Sequence, residues 1–440
     1  MLEVLKNRTY RHLFLAQVVA LLGTGMATVA LGLLAFDLAG ASAGEVLGIA
    51  LSLKMVAYIF IAPMAAALAE RAPRRHLLVA LDLVRAGVAV LLPFVNASWQ
   101  IYTLIFVLQA ASAAFTPIFQ ATIPDVLPKE EDYTRALSLS RLAYDLESVI
   151  SPVLAAVLLS YITFHGLFWG TSLGFIASAA LVVSVVLPIY QSQPTQTFYQ
   201  RTTKGLRIYL KTPRLRGLLA LNLAVAAASA MVIINTVVIV QANFGLTQND
   251  TALALASFGL GSMIVALALP RLLDKTSDRS VMLTGAILLA SGLAAGIFIH
   301  SYSQLLILWF ILGLGYSLAQ TPSGRLLRRS AHANDRPALF AAQFSLSHSC
   351  WLISYPLAGW LSANAGTSYA FATLAILAST AIVFSFLVWP KQDNEKLSHT
   401  HQDLPADHPH WSEHSASEGA HSHAIIIDEL HDHWPDRSAR

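Results

Sequence analysis

The sequence predicts an all-α membrane protein: twelve transmembrane helices in two pseudo-symmetric six-helix halves, followed by a disordered His-rich tail. Three observations predict it. Of the 440 residues, 55% are apolar and only 12% are charged, about half the charged fraction of a soluble domain. Apolar stretches long enough to cross a bilayer recur twelve times, and basic residues gather on alternate connections between them. The mean hydropathy of +0.59 agrees. These figures exclude a disordered chain and an ordinary soluble enzyme. The single cysteine, Cys350, excludes a disulfide-stapled scaffold.

A bilayer core is about 30 Å thick, so a crossing helix needs roughly 20 mostly apolar residues. Such stretches lie near 13–36, 45–69, 77–95, 100–122, 138–160, 166–189, 217–241, 251–273, 281–299, 304–324, 339–361 and 367–389. The first follows Lys6, Arg8 and Arg11 as a signal peptide would. Its apolar run is longer than the roughly 7–15 residues of a signal-peptide core, so it reads as a retained span.

With the N-terminus in the cytoplasm, the external loops near 37–44, 96–99, 161–165, 242–250, 300–303 and 362–366 contain no Lys or Arg. The other connections carry Arg71, Arg74 and Arg75, then Lys129 and Arg135, then Arg271, Lys275 and Arg279, then Arg325, Arg328, Arg329 and Arg336. A basic stretch 191–216, with Arg201, Lys204, Arg207, Lys211, Arg214 and Arg216, joins the halves. This is the positive-inside pattern. It divides the chain into an N-terminal half (1–190), a cytoplasmic linker (191–216), a C-terminal half (217–390) and a cytoplasmic tail (391–440).

The halves repeat weakly at an offset of about 204 residues. Leu68–Arg75 (LAERAPRR) corresponds to Leu272–Arg279 (LLDKTSDR), so that Glu70 and Arg71 match Asp274 and Lys275, and Arg75 matches Arg279. Pro152 matches Pro356, and Thr116-Pro117 recurs as Thr321-Pro322. Two repeats joined by a polar linker suit an alternating-access transporter.

Across residues 1–390 the chain resembles the major facilitator superfamily. The stretch Ala66-Ala67-Leu68-Ala69-Glu70-Arg71-Ala72-Pro73-Arg74-Arg75 is similar to that family's loop motif G-x-L-A-D-R-x-G-R-R, without its glycines. Asp82 and Arg85 give the D-x-x-R pattern of its exporter branch. The resemblance implies a gating latch at Glu70, Arg71, Arg74, Arg75, Asp82, Arg85 and Asp274, although Arg74 and Arg75 would equally serve to set topology. The stretch Glu147–Ala156 is aligned with the small-residue motif of the family's proton antiporters, and Pro152 alone is literal.

An ionisable group at bilayer depth costs at least about 2.5–3.5 kcal/mol, so each one calls for a reason. Asp37 lies at the outer end of the first span, Lys54 mid-way along the second, and Arg141, Asp145 and Glu147 early in the fifth. Arg141 and Asp145 are i,i+4 and suited to pair. Lys54 and Glu147 have no partner in their own helices; Glu147 or Asp145 is the expected proton site, and Lys54 would neutralise Asp37 or Glu147. His348, two residues before Cys350, is the candidate in-membrane metal ligand.

Nine of the fifteen histidines fall in the tail. Eight form H-x-H pairs, His399/His401, His408/His410, His421/His423 and His431/His433, and His414 stands apart. In extended chain, residues two apart share a face, so each pair offers two imidazoles to one ion. Neutral imidazole suits zinc, copper, iron and nickel, and the tail holds no thiol for a copper(I) or cluster site.

A twelve-span chain of this kind resembles the bacterial nickel-resistance permeases of the NreB and NrsD type. That resemblance implies proton-coupled efflux of nickel, with cobalt as a second cargo, across the cytoplasmic membrane, the tail collecting or buffering the metal. The alternative is a drug or siderophore exporter whose tail only buffers or senses metal. No ATP-binding P-loop and no hydrolytic motif occurs, so the chain is expected not to be an enzyme. No resident cofactor is expected; the partners are the divalent ion, protons and lipid, and no nucleic acid, with the protein a monomer.

Overall fold

The computed structural model describes residues 2–69, 73–187, 198–273, 275–332, 335–391, 397–400 and 420–423, together with Ile426, Ile427, His431 and Trp434. The first six helices are α1 (Arg8–Ala39), α2 (Ala43–Ala69), α3 (Arg74–Leu91), α4 (Ser98–Val126), α5 (Glu130–Leu159) and α6 (Phe164–Val183). A linker helix α7 (Phe198–Lys211) leads to α8 (Pro213–Val237), α9 (Gln248–Leu273), α10 (Asp278–Gly296) and α11 (Tyr302–Gln320). The short α12 (Ser323–Arg328) precedes α13 (Arg336–Ala365) and α14 (Thr367–Val388). Apart from the linker helix α7 and the short α12, these helices fall on the expected stretches one for one.

Local chemistry sets their ends. The Asn7 side chain accepts from the Tyr10 amide at 3.0 Å and starts α1, whose far end is Gly40 at φ +52°. Ser277 and Ser301 cap α10 and α11 in the same way. Each cap satisfies one of the amides left orphaned in a first helical turn.

Packing repeats between the two sets of helices. α1 packs on α5 and α6, α2 on α4, and α3 on α4 and α6. In the same pattern α8 packs on α13 and α14, α9 on α11, and α10 on α11 and α14. The sets meet along α2 with α13 and α5 with α9, a pairing that maps onto itself when they are exchanged. α8 is buried on nearly every side, whereas Leu267, Phe298, Ile376 and Leu387 stand exposed on the outer faces. An apolar belt of that kind is the surface a bilayer covers.

Nine stretches of the described residues are long and apolar enough to cross a membrane. They take in every expected span except α5 and α13. Those two helices run along the seams between the sets. α5, whose described apolar stretch is Ile150–Leu159, carries Glu147, and α13 carries Gln343 and His348; each also turns apolar side chains outward, Val153 and Val157 on α5 and Ile353 on α13.

The seam between α2 and α13 is closed by glycines. A Cβ on Gly48 would lie 2.9 Å from the Tyr355 carbonyl, and one on Gly359 would run into the Gly44 backbone. Two backbones in contact leave no room for a side chain, the close approach that small residues allow in membranes. At the other seam, Asn249 of α9 donates to the Ser160 hydroxyl beyond α5 at 3.3 Å. These contacts lie toward the arginine-poor end of the bundle.

The tail corrects one expectation. Residues 397–400 (β1) and 420–423 (β2) form an antiparallel ribbon, with Leu397 opposite His423 and His399 opposite His421. Ile427 is fully buried, and the Trp434 ring lies 5.2 Å from the Arg214 guanidinium at the start of α8. Strand pairing and an apolar anchor therefore order parts of a segment whose polar composition predicted none. Trp434 thus lies at the arginine-rich face.

Candidate transport site between the two bundles

A cluster of charged and aromatic side chains gathers where α2, α5 and α13 meet. α2 brings Lys54 and Tyr58, one turn apart, and α13 brings Phe344 and His348 at the same spacing. The Tyr58 and His348 rings stack with centroids 5.3 Å apart and planes 7° from parallel. Phe344 lies 4.0 Å from His348 and 5.7 Å from Tyr58. The Lys54 ammonium stands 5.8 Å from the Tyr58 centroid, a weak cation–π contact.

Nδ1 of His348 is 2.6 Å from the Phe344 carbonyl. A carbonyl only accepts, so Nδ1–H donates. A neutral ring then presents Nε2 as a free lone pair.

Lys54 and Glu147 of α5 are electrostatic partners, and Lys54 also acts on His348. Asp37 sits elsewhere. It is exposed at the arginine-poor end, on an open pocket of about 400 Å³ with Phe36, Phe164, Gln241 and Gln248. Of the two neutralising partners expected for Lys54, Glu147 is the one whose charge acts on it. Room for that carboxylate comes from Gly25 of α1, where a Cβ would collide with Glu147 and Ser151. Lys54, Tyr58, Glu147 and His348 all keep partial access to solvent in mid-helix. Arg141 and Asp145 lie on α5, but their side chains fall outside the described residues.

One layer back, Asp82 and Arg85 of α3 form a buried ion pair. The Ser178 hydroxyl donates to Asp82 at 2.8 Å. The Arg85 guanidinium lies between the rings of Phe115 and Phe175, at 4.2 and 4.5 Å. Arg85 is also electrostatically linked to Tyr58 and Tyr144.

Glu70, Arg71 and Asp274 of the expected latch lie outside the described residues. The rest of it shows the repeat in three dimensions. Arg74 pairs with Asp125, and Arg75 donates to the Val183 carbonyl at the end of α6. In the second set Asp278 pairs with Arg325 at 3.2 Å and Arg329 at 3.8 Å. Arg279 donates to the Trp389 carbonyl at 3.2 Å, at the end of α14. At an offset of 204, Arg74 becomes Asp278 and Asp125 becomes Arg329. The ion pair is conserved in place and reversed in sign.

Of the tail histidines, His399, His421 and His423 lie on the ribbon, and His431 is buried. His401, His408, His410, His414 and His433 lie outside the described residues. Sequence reasoning missed Tyr58, Tyr144 and Phe344. Each stands three or four residues from a singled-out ionisable group, hence on its helix face, a signal that was there to be used.

Long apolar helices in two like-packed bundles, with ionisable groups on the seams between them, define a multi-pass membrane transporter. The sequence pattern of the Major Facilitator Superfamily matches residues 13–238 and again 218–424, and the chain belongs to that family. It is 25% identical over 205 residues to the uncharacterized MFS-type transporter YkuC of Bacillus subtilis (strain 168), covering 46% of this chain and 47% of that one. It is 22% identical over 328 residues to YfiS of the same organism, covering 71% and 77%. The chain thus matches about half the length of the first relative.

Among solved structures, a bacterial homolog of the human lysosomal transporter Spinster, inward-facing and unoccupied, superposes with a TM-score of 0.66 at 12% identity, covering 86% of this chain and 96% of that one. The nucleoside transporter NupG gives 0.63 at 12%, covering 86% and 98%. A D-xylose-proton symporter gives 0.63 at 13%, covering 87% and 98%. At such identities the likeness is one of fold.

Proposed function

We propose that the chain is a monomeric, proton-coupled exporter of a divalent transition metal, nickel first and cobalt second. It would span a bacterial cytoplasmic membrane twelve times, with both termini in the cytoplasm and the tail 391–440 supplying metal to the transport path. The observation that carries this reading is the central cluster. A carboxylate, Glu147, and an imidazole with a free Nε2, His348, share one inter-bundle space with a single ammonium, Lys54.

The chemistry follows from that grouping. With the site empty, Glu147 carries a proton. A divalent cation arriving from the cytoplasm takes the carboxylate and the His348 nitrogen and displaces that proton inward; an external proton later recaptures Glu147 and expels the metal. One proton enters for each metal event at this group. The closed seams at the arginine-poor end, together with the positive-inside rule, support an inward-facing reading of the present arrangement. Spinster's homolog, described as inward-facing, has the same fold. Asp82, Arg85 and the Arg74–Asp125 pair would hold the gate rather than touch cargo.

A second reading has its own support. Tyr58 and Phe344 wall the space with aromatic faces, and Glu147 is the one described carboxylate in it, as suits an organic cation. Reconstitution into liposomes separates the two. An inward proton gradient should drive Ni²⁺ out against its own gradient, Glu147→Gln should abolish that coupling, and His348→Ala should remove metal transport. Organic-cation movement without Ni²⁺ movement, or Ni²⁺ movement indifferent to Glu147, would sink the metal reading.

A further inference from the structure

Two adjacent arginines at the start of α3 are used in opposite ways. Arg74 is buried and pairs with Asp125 of α4. Arg75 stays partly exposed and reaches across to the end of α6, where it donates to the Val183 carbonyl. Beside it, an open pocket of about 350 Å³ is lined by Arg75, His76, Val79, Ala80, Leu83 and Val183. His76, Ala80, Leu83 and Val183 are exposed, so the pocket belongs to the outer surface of the bundle. It is basic at one end only. His76, Ala80 and Leu83 follow at four- and three-residue steps, which puts them in one stripe along α3. From Arg75 to Leu83 the helix advances about 12 Å at about 1.5 Å per residue, close to one leaflet of a core about 30 Å thick. Further along the same helix pair, Leu91 of α3 and Leu173 and Ile176 of α6 stand exposed.

The second set shows why this groove is open. Arg279, the counterpart of Arg75, donates to the Trp389 carbonyl. Three residues before that carbonyl stands Phe386, whose ring lies 5.1 Å from the Arg279 guanidinium. Three residues before Val183 stands Ala180, exposed and too small to cover Arg75. The repeat thus supplies one arginine over an aromatic face and one beside open space.

We propose that the groove between α3 and α6 binds one anionic phospholipid, with Arg75 and His76 on the headgroup phosphate and an acyl chain along Val79 and Leu83. A guanidinium carries five N–H donors, so the bond to Val183 leaves Arg75 donors for a phosphate, an oxyanion that its planar fork matches. The imidazole of His76 has an N–H to donate in either protonation state. Basic residues gathered at this end of the bundle attract anionic lipid, and the apolar stripe continues into the belt that the bilayer covers. A lipid so held would tie α3 to α6 where Arg75 already joins them. The inference needs only the membrane location and is independent of the cargo.

The test uses full-length protein purified in detergent, with dioleoylphosphatidylglycerol, dioleoylphosphatidylcholine and inorganic phosphate added separately. Native mass spectrometry and thermal unfolding read the result. Phosphatidylglycerol should give a retained adduct and a saturable rise in melting temperature; the other two should give neither. Arg75→Gln with His76→Gln should lose both effects. Because Arg75→Gln also removes the bond to Val183, Ala180→Phe is the second variant. It keeps both basic side chains, copies the arrangement of the second set and should lose the adduct too. Arg328→Gln, which removes an exposed charge at the same end, should leave both effects unchanged. Inorganic phosphate acting as well as the lipid would reduce the groove to a simple anion site, and phosphatidylcholine acting as well would show the headgroup charge to be immaterial. Either result overturns the proposal, as does an adduct that survives Ala180→Phe or is lost equally in Arg328→Gln.

Discussion

Glu147 and Lys54 are worth more as a pair than as two residues. Removing one member of an interacting charge pair costs between the roughly 0–1 kcal/mol of an exposed pair and the about 3–5 kcal/mol of a buried one, whereas a pair replaced by well-packed apolar groups costs little or nothing. Lys54→Met alone should therefore lower the thermal stability of the purified protein, and Lys54→Met with Glu147→Gln should recover most of the loss. The double variant should still fail to couple transport to protons, because no titratable carboxyl remains at the site. Stability restored and coupling lost, in one protein, would separate the structural role of the pair from its exchange role. A sign reversal already present in the chain permits a sharper trial. Since Asp278 and Arg329 occupy the places of Arg74 and Asp125 with charges exchanged, Arg74→Asp should destabilise by about 1–3 kcal/mol, between an exposed and a buried pair. Adding Asp125→Arg should reverse that, as read by thermal unfolding. A double swap no better than the single would mean that the surroundings, not the pair, fix the sign.

At the scale of the element, the glycine seam is what lets α2 and α13 touch. Gly359→Leu forces a side chain against the Gly44 carbonyl, and overpacking of this kind costs about 1–3 kcal/mol. The variant should stay in the membrane but lose transport, with Gly359→Ala intermediate, in the same liposome assay. Much of this level was legible beforehand. Length and apolarity located most of the helices, because a bilayer demands both of a helix that faces lipid. The repeat was legible too, in Arg75 and Arg279, which cap the corresponding helices α6 and α14. The choice of Glu147 over Asp37 for Lys54 was not. Side-chain partners between helices depend on how far each helix is rotated about its axis, and no residue near Lys54 encodes that angle. The ribbon in the tail was hidden for a different reason: four-residue strands in a polar segment show no periodicity strong enough to read, and their register is set by pairing.

For the whole molecule, alternating access requires that the contacts now closing the arginine-poor end break once in every cycle. Ser160 and Asn249 sit on opposite bundles at that end, joined by a 3.3 Å hydrogen bond. A disulfide needs Cα atoms about 4.4–6.8 Å apart, a separation consistent with side chains already in contact. Ser160→Cys with Asn249→Cys, in a Cys350→Ser background, should therefore cross-link under mild oxidation. Cys350 is buried, so its removal leaves the surface unaltered. The oxidised protein should bind Ni²⁺ from the arginine-rich side yet move none across the liposome membrane, and reduction should restore movement. If transport continued undiminished with the bond formed, the two bundles would not be rocking apart at this end. The seam between α5 and α9 would then be a fixed wall, and the path for cargo would have to open elsewhere in the molecule.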